Sequence, residues 1–163
     1  MNEKELSFII SEGEGQLIEF KENFNVSITK EMVAFANANG GRIFLGITDQ
    51  GLICGITISN DLRSRITDIA SNCDPNVNVS IETFQNVCII HVAEGVNKPY
   101  SCSSGFYLRV GANSQKLSRD EIFKFAVSEG VKTFDEEIND DFVYPGDFDE
   151  VKLDAYLTDT KLK

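Results

Sequence analysis

The chain has 163 residues, 42% of them hydrophobic, and a formal net charge of −11 at pH 7. That length suits one domain with some surplus, and no apolar run approaches the roughly 18 residues that a membrane span requires. The four cysteines, Cys54, Cys73, Cys88 and Cys102, contain no C-x-x-C pair and His91 is the only histidine, which argues against a zinc cluster.

The N-terminal MNEKELSFIISEGEG lacks the long apolar stretch and small-residue cleavage site of a secretory signal, so a cytoplasmic protein is expected. Cys54 and Cys88 lie within the apolar runs LICGI and VCIIHV, which fits buried reduced thiols. His91 has no serine or cysteine partner at a recognisable spacing and reads as a strand residue. Residues 135–163 hold ten acids against three lysines, so −7 of the charge sits there and −4 remains on residues 1–134. A mildly acidic main domain does not coat a polyanion non-specifically.

Along the chain, LIEFK alternates, with Ile18 and Phe20 on one face and Leu17, Glu19 and Lys21 on the other. Burying the Ile/Phe face presents Glu19 outward. ITKEMVAFANANGG predicts a helix with Ile28, Met32, Phe35 and Ala36 on its apolar stripe, opened by Ser27 and closed by Gly40 and Gly41. RIFLGITDQGLICGI predicts two short strands about Thr48 to Gly51. SNDLRSRITDIASN predicts a helix with Leu62, Ile66, Ile69 and Ala70 inward and Ser59, Asn60 or Asp61 as its cap.

VNVSIETFQNVCIIHVAE gives two strands about a Gln-Asn turn, the second apolar enough to be central. A loop leads to the strand FYLRVG, and SRDEIFKFAVSEG closes the unit as a helix with Ser118 and Glu121 as a capping box. The acidic stretch that follows suits a linker or docking segment, and VKLDAYLTDTKLK is weakly helical. The expected division is therefore 1–130 as the domain and 131–163 as a linker with the start of a following region, cut from a larger protein. The expected fold class is α+β, one mixed and mostly antiparallel sheet with about three packed helices.

GEGQLIEFKENF, residues 13–24, raises a chemical question. Glu14 and Glu19 would point to opposite faces of a straight strand, about 17 Å apart along its axis. They converge only if the chain bends at Gly13 to Gly15. Asp49 at the tip of the following turn adds a third acid, and hard ions such as Mg²⁺ or Mn²⁺ favour carboxylate oxygens. Each residue also has a plain structural reading: Asp49 suits a turn, Glu19 and Lys21 are same-face neighbours, and Glu14 favours solubility.

The whole pattern resembles a known family. E-x-x-x-x-E-F-K (Glu14, Glu19, Phe20, Lys21), A-F-A-N (Ala34 to Asn37), Gly40, Gly41, Gly46, Asp49, Gly51 and Gly55 resemble the Schlafen AlbA-type domain, often described as DNA-binding. Lys98 to Tyr100, then Tyr107, Arg109 and Gly111, then the last capped helix continue the resemblance over roughly residues 10–130. The resemblance implies a nucleic-acid-binding domain of a prokaryotic transcriptional regulator related to divergent ATPase and helicase proteins. It also implies an alternative, since some animal Schlafens cleave transfer and ribosomal RNA with a Glu, Glu, Asp trio. By motif that trio falls on Glu14, Glu19 and Asp49, holding Mg²⁺ or Mn²⁺, with Lys21 steadying phosphate charge.

The nuclease Schlafens carry two lobes in a basic horseshoe, whereas this chain has one acidic lobe that a homodimer would complete. A third reading is a dimerising scaffold that binds no nucleic acid. For contact with DNA or RNA the candidates are Lys21, Arg42, Lys98, Arg109, Lys116 and Arg119. Arg109 either meets a phosphate with the amides of Gly111 to Ser114 or supports a loop. The run ending at Arg42 lacks the G-K-[ST] of a phosphate loop and reads as a helix-to-strand connection.

Overall fold

The computed structural model describes residues 1–130, 143, 145, 146 and 148–159. The chain divides into two compact units, Met1–Val131 and Lys132–Lys163. In the first, α1 (Glu3–Glu12) and β1 (Ile18–Lys21) precede α2 (Ile28–Asn37) and β2 (Gly41–Leu45). There follow α3 (Asn60–Ser71), the hairpin β3 (Val79–Phe84) and β4 (Val87–Val92), then β5 (Ser101–Cys102), β6 (Gly105–Val110), β7 (Asn113–Lys116) and α4 (Arg119–Ser128). In the second, α5 spans Glu150–Asp159. Most of the acidic stretch read as a linker, including Asp135, Glu136, Glu137, Asp140, Asp141 and Asp147, lies outside the described residues.

The α+β class holds, with two differences in count. Among the described residues there are five helices, and the strands form two sheets: a mixed one in the order β1-β2-β4-β3 and a small antiparallel one in the order β5-β6-β7. In the mixed sheet only β1 and β2 run parallel, with Glu19 beside Ile43 and Phe20 beside Phe44. The strand VCIIHV lies inside this sheet as its sequence suggests, and all of its residues except His91 are buried.

Both faces of the mixed sheet are covered. On one, α1 lays Leu6 and Ile9 over Phe20, Phe44, Ile47 and Ile89, with Phe20 and Phe44 edge to face at 5.9 Å. On the other, Ile43, Leu45, Cys88 and Ile90 meet Met32 and Phe35 of α2 and Leu62 and Ile66 of α3. Helix α2 also packs on β5, β6 and β7, so it runs between the two sheets. It is buried almost all round, Glu31 and Asn37 included. A helix in that position must pair its polar side chains or lose stability.

Local chemistry fixes the ends of the helices. Asn2 caps α1 by accepting the Glu5 N–H at 3.0 Å, and Ser59 caps α3 by accepting the Leu62 N–H at 3.1 Å. Ser118 and Glu121 make the expected capping box at α4, the carboxylate accepting the Ser118 N–H at 2.8 Å. Ser27 does not cap α2 through its side chain; its N–H instead donates to Asn25 Oδ1 at 2.9 Å.

The expected second strand of the Thr48 to Gly51 turn reduces to one bridge between Ile47 and Ile53. Beyond it, Cys54 and Gly55 both donate to the Gly46 carbonyl at 2.9 Å, which pulls the return arm across β2 instead of along it. Gly46 has φ +95°, and a Cβ there would sit 2.9 Å from the Gly55 backbone, so the crossing requires glycine. The arm runs on the surface, which leaves Cys54 exposed rather than buried; Cys88 is buried.

Candidate functional site

Helix α1 stops at Gly13, whose φ of +78° lets its N–H reach back to the Ile9 carbonyl at 3.0 Å. A turn follows, closed by the Gly15 N–H donating to the Ile18 carbonyl at 3.0 Å. This fold-back carries the Glu14 carboxylate over β1, where Oε1 accepts the Phe20 N–H at 2.9 Å. Lys21 Nζ then lies 4.0 Å from Glu14 Oε1, donates to Glu19 Oε1 and donates to the Phe20 carbonyl at 2.9 Å. The two acids therefore meet at one ammonium.

Glu19 is not presented outward: it is 5% exposed. The alternation of LIEFK assumes solvent on one face of the strand, but here a second layer covers that face. The covering group is Arg109, whose side chain is wholly buried and whose Nη1 lies 2.7 Å from Glu19 Oε2. No N–H is aligned on that oxygen, so the contact is ionic rather than a formed hydrogen bond.

Arg109 spends its remaining donors on structure. Its Nε and Nη2 donate to the Gly15 carbonyl at 3.1 and 2.7 Å, Nη2 to the Ile18 carbonyl at 2.9 Å and Nη1 to Ser114 Oγ at 3.2 Å. Nη1 also lies 3.6 Å from Glu31 Oε2, which accepts from Ser114 Oγ, and the guanidinium stacks 4.7 Å from the centre of Phe35. Lys30 Nζ is 3.6 Å from the other Glu31 oxygen. Three carboxylates (Glu14, Glu19, Glu31) thus face three cations (Lys21, Lys30, Arg109), and the cluster ties β1, α2, β6 and β7 together.

Titration follows from this geometry. Burial raises the Glu14 carboxyl, the Phe20 N–H opposes it, the charge of Glu19 raises it, that of Lys21 lowers it and that of Asp49 raises it, leaving it raised overall. Burial pulls the Lys21 ammonium down, but its bond to Glu19 and the surrounding acids leave it raised overall. An acid whose folded pKa is raised keeps its proton longer in the folded state, so its stabilising effect is present at low pH and fades as pH rises through that pKa. Carboxyl-resolved NMR is expected to place the Glu14 midpoint above the ordinary glutamate range, and Glu14→Gln is expected to flatten stability against pH there. A Glu14 midpoint at or below that of an exposed glutamate would contradict this environment.

The acids do not form a metal centre in this arrangement. Among the described residues no group of three or more histidine, cysteine, aspartate or glutamate side chains is placed to hold a metal ion. Lys21 takes one Glu19 oxygen and Arg109 the other. Asp49 is exposed at its turn and reaches Glu14 only through space. As folded, the trio is therefore divided, with Glu14 and Glu19 at the Lys21 ammonium and Asp49 apart from them.

The basic candidates separate by engagement. Arg109 is buried and cannot meet a phosphate, a correction to that reading, and the Gly111 N–H is taken by Gln16 Oε1 at 2.8 Å. Lys98 Nζ donates to the Ala38 carbonyl at 2.9 Å, at the end of α2, and to Glu94 at 2.8 Å. Arg42, second in β2, lies 3.4 Å from Glu5 and over the Phe44 ring. Lys116 and Arg119 are exposed and make no ion pair among the described residues. Arg119 lines a shallow groove of about 390 Å³ with Asp120, Phe123 and Lys124, and Phe123 is 63% exposed.

Lys30, Glu31 and the side chains of Ser114 and Gln16 are the participants that sequence reasoning missed. Glu31 left a signal, since it sits three residues after Ile28 and four before Phe35 on the apolar stripe. Ser114 and Gln16 left none.

Among curated proteins none matches the chain. Among solved structures it is similar to the DIP2311 protein from Corynebacterium diphtheriae, a structural-genomics target, at 23% identity and a TM-score of 0.52. The likeness covers 70% of this chain and 27% of that one, so it speaks to fold, and this chain spans about a quarter of that protein's length. Residues 14–118 match the family model described as Schlafen, AlbA_2. That match takes in the fold-back, the acidic and basic cluster and both sheets, and it covers more than half of the chain: the chain belongs to the Schlafen AlbA_2 family, a nucleic-acid-related domain.

Proposed function

We propose that this chain is the nucleic-acid-binding portion of a transcriptional regulator, and that it meets the phosphate backbone with the corner where β7 turns into α4. The observation that carries this reading is the sorting of its cations. Lys21, Arg42, Lys98 and Arg109 are engaged by carboxylates or carbonyls, while Lys116 and Arg119 are exposed and lack an acidic partner among the described residues. Lys124 shares the Arg119 groove, and Phe123 offers an aromatic face on which an unpaired base could stack. Asp120 in the same groove tempers the charge, which favours a few placed contacts over broad coating.

A second reading, a metal-dependent endoribonuclease, has the convergence of Glu14 and Glu19 in its favour. Against it stand Lys21 and Arg109, which already neutralise Glu19. One experiment separates the two. Fluorescence anisotropy with duplex DNA and with transfer RNA is expected to show binding at low salt that Lys116→Ala and Arg119→Ala each weaken severalfold. Adding Mn²⁺ is expected to leave the transfer RNA intact. Cleavage by the wild type that Asp49→Asn abolishes would establish the nuclease instead, and Asp49 suits this test because it is exposed and outside the buried cluster.

A further inference from the structure

Cys73 follows the C-terminal end of α3, and Cys102 is the second residue of β5. Next to them, Asp74 and Ser101 form an isolated antiparallel bridge in which each N–H donates to the other's carbonyl, at 2.9 and 2.7 Å. A doubly hydrogen-bonded antiparallel pair is flanked by non-hydrogen-bonded positions whose Cα atoms are about 4.5 Å apart. Cys73 precedes Asp74 and Cys102 follows Ser101, so the two cysteines occupy such a flanking position. A disulfide requires Cα atoms about 4.4–6.8 Å apart. We propose that Cys73 and Cys102 are a modification site, a thiol pair that a small-molecule disulfide such as oxidised glutathione joins into an internal disulfide.

The two thiols belong to the same core, Cys73 buried within it and Cys102 packed against it half-exposed. Cys73 Sγ now donates to the Ile69 carbonyl at 3.3 Å, and Cys102 Sγ lies 3.1 Å from Ser104 Oγ. Rotation about each Cα–Cβ bond turns both sulfurs toward each other. Burial, and then the neighbouring Cys102, push the Cys73 thiol up to about 12. Cys102 is therefore the first attacker and Cys73 the slow resolving thiol.

The electrons balance in two exchanges. The Cys102 thiolate attacks the small disulfide, forming a Cys102 mixed disulfide and releasing one thiol. Cys73, on losing its proton, attacks Cys102 Sγ and releases the second thiol. Two S–H bonds are lost from the protein and one S–S bond is gained; the oxidant leaves as two thiols. The product ties the end of α3 to the small sheet, beside a groove of about 530 Å³ lined in part by Asp74, Lys98 and Ser101.

The test uses the full chain in a Cys54→Ser background, which removes the exposed thiol. After incubation with excess oxidised glutathione and an acid quench, intact mass is expected to fall by two hydrogens, with a 73–102 cross-linked peptide on digestion. The melting midpoint is expected to rise by about 5–10 °C. Cys73→Ser is expected to hold a stable glutathione adduct on Cys102. Should Cys73→Ser fail to fold, Cys102→Ser serves in its place and is expected to take no modification at Cys73. A lasting adduct on Cys102 in the parent, no modification of either thiol, or modification of Cys73 in Cys102→Ser would overturn the pair.

Discussion

Arg109→Ala is expected to destabilise the domain by about 3–5 kcal/mol, the cost of leaving buried charge without its partner. The side chain is wholly buried, and its removal leaves Glu19 on β1 with Lys21 as its one cation and weakens the hold on Glu31 in α2. It also leaves the Gly15 carbonyl without its two guanidinium donors, so the fold-back that positions Glu14 loosens with it. Arg109→Lys is expected to recover part of the loss. It restores a charge but not the fork that serves Gly15, Ile18 and Ser114 together. Urea unfolding measures both variants. An Arg109→Ala loss under about 1 kcal/mol would place the arginine among ordinary surface ion pairs and contradict its role.

Asn37→Ala ranks next, at about 2–4 kcal/mol, because one side chain satisfies three backbone groups of another layer. Asn37 is 2% exposed. Its Nδ2 donates to the carbonyls of Tyr100 and Tyr107 at 2.8 and 2.9 Å, and its Oδ1 accepts the Tyr100 N–H at 2.6 Å. Asn37→Asp is expected to be worse at neutral pH, since a carboxylate would face two carbonyl oxygens, and to recover partly as acid protonates it. Equal stability of Asn37→Asp and wild type at pH 7 would show that the amide is not holding those carbonyls. The asparagine of the A-F-A-N motif is thus a fastener between α2 and the small sheet.

These two residues explain what the sequence made legible. Caps at Ser59 and at Ser118 with Glu121, the β3–β4 hairpin and the interior place of VCIIHV were readable because each depends on neighbours within a few residues. Alternation assigns Glu19 to the outward face because it reports which residues differ, not whether a second layer covers the polar face. That layer arrives with Arg109, whose bonds to Gly15 span 94 positions of sequence. Separations of 95 and 83 positions likewise hid the pairing of Gln16 with Gly111 and of Ser114 with Glu31. The short strands β5 and β7 carry little apolar alternation, and their place is set by pairing with β6, which packs on α2.

The acidic motif takes on a particular sense in this setting. Glu14 and Glu19 do come together at the fold-back, as the bracket of glycines allows, but they close on Lys21 and Arg109. In the structure the motif organises the junction of β1, α2 and the small sheet, and of the cations singled out for nucleic-acid contact the two without an acidic partner among the described residues are Lys116 and Arg119. A protein of net charge −11 that binds a polyanion must do so through a few well-placed cations.

The most direct test is a salt titration of binding to duplex DNA and to RNA, comparing the wild type with Lys116→Ala/Arg119→Ala/Lys124→Ala. Log affinity of the wild type is expected to fall linearly with log salt, and the triple variant to bind more weakly with a slope shallower by about 2–3. Arg42→Ala is expected to leave the slope close to the wild type. Absence of binding at low salt, or equal slopes for the wild type and the triple variant, would contradict the account.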